Sequence, residues 1–234
     1  MEEVNLQEIQ NKLYDNLKKA GWGPATVNFV AASDFGKILK SLLREAQDGK
    51  RFSPKIKHLF RAFEECPYDK LKVVVLGQDP YPQINTADGI AFSCSNQERV
   101  EKSLEYIFKS LTDTYDSSYV GDPDLKRWSQ QGVLLLNCAL TVTNNKPGAH
   151  QLLWKPFTTM LLDYLVWNKQ DIIYVFMGKK AAEYAYIIPD NNYKLIVSHP
   201  ASAAYNMSES WDCEDMWNKI NKQLKLQNEE TIRW

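Results

Sequence analysis

KVVVLGQDPYP, Lys72–Pro82, is an apolar run that stops abruptly in a glycine, a carboxylate and two prolines. Consecutive valines with no polar residue between them suit a strand buried on both faces, not one with a wet side. Three similar runs follow: Val133–Leu136 (VLLL), Ile172–Met177 (IIYVFM) and Lys194–Val197 (KLIV). Helical spacing separates them at Glu101–Thr112, Phe157–Asn168 and Lys179–Ile187, and returns after the last run at Cys213–Leu226. Ahead of Lys72 the same spacing marks Val4–Lys19, which stops at Gly21, then Ile38–Ala46 and Ile56–Glu65. Thr112–Pro123, rich in Asp, Ser, Tyr, Gly and Pro, reads as a surface loop. Strand–helix alternation of this kind predicts a single α/β domain over residues 1–234. Its centre is a mostly parallel four-stranded sheet flanked by helices on both faces.

Parallel strands present their C-terminal ends on one edge, and that edge is where open α/β sheets bind ligands. The first strand ends in Gly77-Gln78-Asp79-Pro80-Tyr81-Pro82, the second in Asn137, the third in Gly178 and the fourth in Ser198-His199-Pro200. Asp79, Asn137 and His199, each about 60 residues from the next, are therefore predicted to converge. Singly, each has a plain reading. Asp79 is a turn or helix-cap residue, Asn137 a turn residue, His199 a partner for nearby backbone, and Phe92 a core aromatic. Three unlike polar groups at three strand ends are what single them out. Together they offer a carboxylate to orient water, an amide to read a planar polar edge, and an imidazole to donate to a developing anion. No second carboxylate stands at a strand end for a paired-acid glycosidase, and no G-x-S-x-G elbow or glycine-rich phosphate cradle is present.

Apolar residues make up 44 % of the chain, charged residues 24 %, and the net charge is −1. A nucleic-acid binder usually shows a basic excess, so only a local patch would serve here. Cys66, Cys94, Cys138 and Cys213 lie far apart, and the three histidines are His58, His150 and His199. This spacing predicts reduced, mostly buried thiols and argues against a zinc or iron–sulfur site. The start MEEVNLQEIQ has no apolar core and the chain no long apolar run, so the reading is intracellular, without a membrane span.

These motifs resemble the family 1 uracil-DNA glycosylases. The resemblance is carried by GQDPYP (Gly77–Pro82), GIAFS (Gly89–Ser93), LLLNCALTV (Leu134–Val142), VFMGKK (Val175–Lys180) and SHPASAAYN (Ser198–Asn206). FSPKIKHLFRAF (Phe52–Phe63) and the closing Thr231-Ile232-Arg233-Trp234 are also similar, so the likeness spans nearly the whole chain. It implies a DNA-repair enzyme that excises uracil by hydrolysing the N-glycosidic bond, leaving an abasic site, with no metal or cofactor required. By this resemblance Asp79 orients water and stabilises the cationic sugar, and His199 stabilises the uracil anion with help from Gln78. Phe92 stacks on the base, Asn137 reads its polar edge, and Tyr81 fills the space of a thymine methyl. Ser103, Gly178, Lys179, Pro200, Ser202 and Ala203 are expected to contact DNA, and Lys146, Lys155 and Lys180 to add local charge. The implied partners are uracil-containing single- or double-stranded DNA and a proteinaceous inhibitor of the enzyme, met by a monomer. The setting is the bacterial cytoplasm, or a nucleus or viral factory. An alternative is the same fold serving mainly as a DNA-binding or replication-associated subunit. A further one is activity on another base.

The sequence also departs from the family. Pro82 stands where a His that supports the water site is usual, and Lys179 replaces the serine of a Gly-Ser loop. NQERVEKS, before Ser103, lacks the family's prolines. HPASAA stands for HPSPLS, which places Ala203 at the position of an intercalating leucine and Ala201 at that of a phosphate-binding serine. A small alanine is a poor wedge.

Overall fold

The valines of Val73–Gly77 are bonded on both sides, and this strand organises the sheet. The computed structural model describes residues 6–23, 34–94, 100–115 and 121–234. The elements are α1 (Leu6–Leu17), α2 (Phe35–Gln47), β1 (Phe52–Ser53), α3 (Arg61–Glu65), β2 (Val73–Gly77), α4 (Lys102–Tyr115) and α5 (Lys126–Ser129). After them come β3 (Val133–Asn137), β4 (Val142–Thr143), α6 (Gln151–Asn168), β5 (Ile173–Met177), α7 (Lys179–Ala182), β6 (Lys194–Val197), α8 (Ser202–Tyr205) and α9 (Met216–Leu226).

The main sheet runs β3-β2-β5-β6, with every pair parallel. β2, β3 and β5 are buried along their whole length, as unbroken apolar runs require. β6 is the edge, and Ile196 there is half exposed. The chain leaves β2 toward β3 and then crosses back to β5. Right-handed crossovers of opposite direction lie on opposite faces, so helices cover both sides. Two aromatic clusters pack with them. Phe60 stacks on Phe157 at 5.9 Å, with Phe35 and Trp154 beside them. Trp217 meets Trp234 at 4.7 Å and Trp128 at 5.9 Å. Among the described residues no helix is long and apolar enough to cross a membrane.

The four-stranded sheet matches the sequence expectation; several boundaries differ. α6 begins at Gln151, not Phe157, and carries Pro156 inside it. A proline reads as a breaker, but here it costs only the bond to Leu152, whose residue is open to water. Lys179–Ile187 is not one helix but α7 and a 3-10 turn at Ala185–Ile187. Ile56–Glu65 likewise divides into a 3-10 turn at Ile56–His58 and α3. α4 continues through Thr112 to Tyr115, so the expected loop begins later; residues 116–120 lie outside the described residues. The first half of NQERVEKS, residues 96–99, also lies outside them, and its last two residues open α4. The antiparallel β1–β4 pair was not expected, because two-residue strands carry no periodicity.

A buried charge network ties α3 to the loop after β2. Arg61 reaches Asp88 at 2.8 Å and grips Asp124 with two bonds at 2.7 and 2.8 Å. Asp88 is 3 % exposed and also accepts from the Ser93 hydroxyl at 2.7 Å and the Ile90 N–H at 3.1 Å. Burial pushes the Asp88 carboxyl up, while Ser93, Arg61 and the Ile90 N–H oppose it. Removing one partner of such a network strands a charge in the interior. Arg61→Ala is therefore expected to lower stability by about 3–5 kcal/mol, read as a reduced urea midpoint at unchanged slope.

Candidate active site

In the parallel register Gly77 of β2 stands opposite Asn137 of β3, so both strands end together. The backbone pairing continues past them, from Cys138 N–H to the Gly77 carbonyl and from Ala139 N–H to that of Gln78. Gly77 must lack a side chain. A Cβ there would lie 2.6 Å from the Asn137 Oδ1 and 3.0 Å from the Phe92 ring. Phe92 is held at φ +65°, a left-handed conformation that aromatic residues rarely adopt. Its ring is 7 % exposed and tilts toward the His199 ring at 5.8 Å. The Tyr81 hydroxyl donates to the Phe92 carbonyl at 2.9 Å, which ties the strand tip to this strained turn. Burial pushes the Tyr81 phenol up, so it stays a donor at neutral pH.

These side chains wall one cavity of about 370 Å³, together with Gln78, Asp79, Pro80, Ser103 and Ser202. Asp79, Asn137 and His199 are thus brought together as the strand ends predict. Asn137 is 8 % exposed, and its amide has no hydrogen-bond partner among the described residues, leaving both donor and acceptor for a ligand. Burial lowers the His199 pKa, and the nearby Asp79 charge only partly opposes it. The imidazole is therefore neutral at neutral pH. The Ala201 N–H donates to its Nδ1 at 3.2 Å, which puts the ring proton on Nε2. The site so combines a carboxylate, an unpartnered amide and a neutral N–H donor. Among the described residues no group of three His, Cys, Asp or Glu side chains is placed to hold a metal.

The outer residues are more mixed. Ser103 and Ser202 line the cavity, and Lys179 is exposed beside it in sequence. Gly178 is buried, with φ +92°, and a Cβ on it would lie 2.8 Å from the His199 Cβ. Its place is to let the His199 loop approach β5. Pro200 is buried, and Ala203 is only 4 % exposed. Ala203 packs inward from α8 and offers no surface to a duplex. Among the described side chains that follow His199 in this loop, the large apolar one left exposed is Met207, 96 % exposed. Sequence reading missed Gly148 and Gln151, both of which donate to Asp79. It also missed Leu140 and Pro147, which complete the wall. The Pro-Gly pair at Pro147-Gly148 signals a turn, but nothing in its spacing points to Asp79.

A family model described as the uracil DNA glycosylase superfamily matches residues 63–225. The chain belongs to that superfamily. A uracil-DNA glycosylase of Azobacteroides pseudotrichonymphae is 32 % identical over 85 % of this chain and 90 % of its own. One from Acinetobacter baumannii is 31 % identical over 97 % of both. The crystal structure of mimivirus uracil-DNA glycosylase superposes with a TM-score of 0.81 at 28 % identity, over 93 % of this chain and 88 % of that one. A mimivirus relative in complex with UGI superposes at 0.82 and 29 % identity, over 93 % and 90 %. Membership brings the enzyme class with it: a glycosylase, hence a hydrolase of DNA repair.

Gly77→Ala tests the geometry directly. The added methyl must displace the Asn137 amide or the Phe92 ring. Activity is expected to fall by about 100-fold, with a smaller effect on thermal stability than Arg61→Ala.

Proposed function

We propose that the cavity accepts a uracil turned out of DNA and cuts its N-glycosidic bond. The observation that carries this reading is the unpartnered Asn137 amide facing a neutral His199 Nε2–H and the Asp79 carboxylate across one cavity. Flipping a base takes a few kcal/mol of unstacking, which the pocket must return. Phe92 supplies a stacking face, and Asn137 donates to O4 and accepts from N3–H. Cytosine offers the opposite pattern at both positions. Tyr81, fixed by its bond to the Phe92 carbonyl, occupies the side where thymine carries a methyl.

The C1′–N1 bond breaks with its electron pair going to the base. The uracil anion places charge on O2, where the His199 Nε2–H donates. A single donor so placed is worth roughly 3–4 kcal/mol in the transition state. The sugar left behind is cationic, and the Asp79 charge lowers its energy. Asp79 also holds a water for attack at C1′. Water oxygen becomes the C1′ hydroxyl, and its proton finally neutralises the uracil anion. Ser103 and Ser202 on the rim suit phosphate contacts that need no net positive charge. The rival reading, a binding subunit without excision, is disfavoured by Asp79 in the cavity, since a carboxylate repels an anionic DNA backbone and binding alone does not need it.

Uracil-containing single- and double-stranded oligonucleotides, with thymine controls and EDTA, decide the matter. Free uracil and an alkali-labile abasic site are expected; binding without release would overturn the enzyme reading. Asp79→Asn is expected to bind DNA normally and to excise at a rate lower by about 100- to 10,000-fold. In the loop that follows α8, Met207 takes the wedge role that buried Ala203 does not. Met207→Ala is expected to reduce kcat/KM on duplex by about tenfold while single-stranded substrate is cut at nearly the normal rate. Equal loss on both substrates would remove Met207 from that role.

A further inference from the structure

The Asp79 carboxylate is gripped by donors that include a segment, Gly148 to Gln151, that the chemistry above leaves unused. Its Oδ2 accepts from the Gly148 N–H at 2.8 Å and from the Gln78 Nε2 at 3.0 Å. The Gln151 Nε2 lies 3.4 Å from Oδ2 and 3.5 Å from Oδ1. Oδ2 is thus crowded with donors, whereas Gln151 is the one hydrogen-bond partner of Oδ1 among the described residues. A carboxylate bonded at one oxygen turns easily about its Cβ–Cγ bond, because that torsion is broad. A donor that touches both oxygens fixes the plane.

The segment that delivers these donors is itself tied down. The Asn144 N–H donates to the Arg51 carbonyl at 2.8 Å, and the Asn145 N–H to the Pro82 carbonyl at 3.0 Å. His150, 5 % exposed, donates from Nε2 to Glu45 at 2.7 Å, and its Nδ1 pairs with the Thr141 hydroxyl at 2.8 Å. Thr143 donates to the other Glu45 oxygen at 2.6 Å. Burial raises the Glu45 pKa, but the bonds from Thr143 and His150 outweigh it and hold this carboxyl below the usual range. Gly148 reaches Asp79 with φ +80°, a conformation natural to glycine. Gln151 follows as the first residue of the 18-residue helix α6.

We propose that Gln151 is a positioning residue for Asp79: it fixes the carboxylate plane so that Oδ1 faces the cavity, ready to hold the attacking water. The inference rests on the catalytic reading of Asp79. Pro82 brings no side-chain donor to the site, and its backbone carbonyl, as any residue's would, anchors the segment from which Gln151 supplies one. The other titratable groups that feel the Asp79 charge are His199, Cys138, Lys180 and Tyr184, with Glu183 paired to Lys180 at 2.8 Å. None of them bonds the Asp79 carboxylate among the described residues.

Two variants and two readouts test this. Gln151→Ala is expected to slow single-turnover uracil release by about tenfold, with DNA affinity and melting temperature unchanged. Gln151→Glu keeps the shape and places a second carboxylate against the first, which favours protonated Asp79. Activity requires ionised Asp79, so the acid limb of its pH–rate profile is expected to move up by about one pH unit. The Asp79 signal in a ¹³C-carboxyl NMR titration, assigned by its loss in Asp79→Asn, is expected to move up with it. Release by Gln151→Ala within about twofold of wild type overturns the proposal. So does a loss of rate that only follows a loss of affinity or stability, or an Asp79 titration unmoved in Gln151→Glu. The NMR titration needs no turnover. If the wild-type chain released no uracil, the catalytic reading would fail while the titration still decided the clamp.

Discussion

The facing of Gly77 and Asn137 in adjacent parallel strands is the constraint on which the site depends. Because the strands end in register, the amide of one lies over the missing side chain of the other, and Phe92 closes the same space. The slot is therefore made by backbone pairing, which resists small adjustments better than any side-chain packing does. β5 and β6 join in the same sense, and Gly178 lets the His199 loop come as near to β5 as Gly77 lets Asn137 come to β2. Both glycines act by close approach. One keeps the base slot open and the other brings the imidazole to it.

Electrostatics divides the labour between two groups that could otherwise cancel. A carboxylate close to an imidazole tends to form an ion pair and protonate the ring. Here burial of His199 outweighs the pull of Asp79, so the ring stays neutral. Backbone from Ala201 then selects the tautomer. Asp79 in turn is engaged by amide donors, none of which carries charge. It stays available to a cation, and His199 to an anion. In the proposed mechanism an ion pair would satisfy both groups and leave neither for the two charges that bond cleavage would create.

Much of this was legible in the residues. Unbroken apolar runs marked buried parallel strands, and parallel strands require their ends to meet, so Asp79, Asn137 and His199 could be grouped across the chain. What stayed hidden depends on side-chain direction and loop conformation. The inward turn of Ala203 follows from α8, a four-residue helix too short to show a period. The bond from Gly148 to Asp79 joins residues 69 apart through a loop whose composition says only that it turns. The start of α6 was hidden by Pro156, whose cost is small because solvent receives the freed carbonyl. Phe92 at φ +65° has no sequence signature at all.

The walls of the cavity are stiffened from outside it, by two polar clusters whose charged members do not line it. Arg61, Asp88 and Asp124 hold the turn that carries Phe92, and Glu45, His150 and Thr143 hold the loop that carries Gly148 and Gln151. Buried polar networks add little net stability compared with apolar packing, but they resist sliding, because a shift would break several directional bonds at once. On the proposed reading, a slot that tells uracil from thymine by a methyl group needs that property more than it needs stability. The strain at Phe92 is held by the same means: Ser93, beside it, donates to Asp88 at 2.7 Å and accepts from the Leu125 N–H at 3.1 Å. Beyond α8 the polar bonds lie at the surface instead: the Ser208 hydroxyl donates to the Ser210 carbonyl at 2.7 Å and the Tyr106 hydroxyl to that of Ser208 at 3.3 Å, while Asn206 and Met207 are exposed. On the proposed reading, the buried networks therefore support the part of the site that reads the base and not the part that meets the duplex.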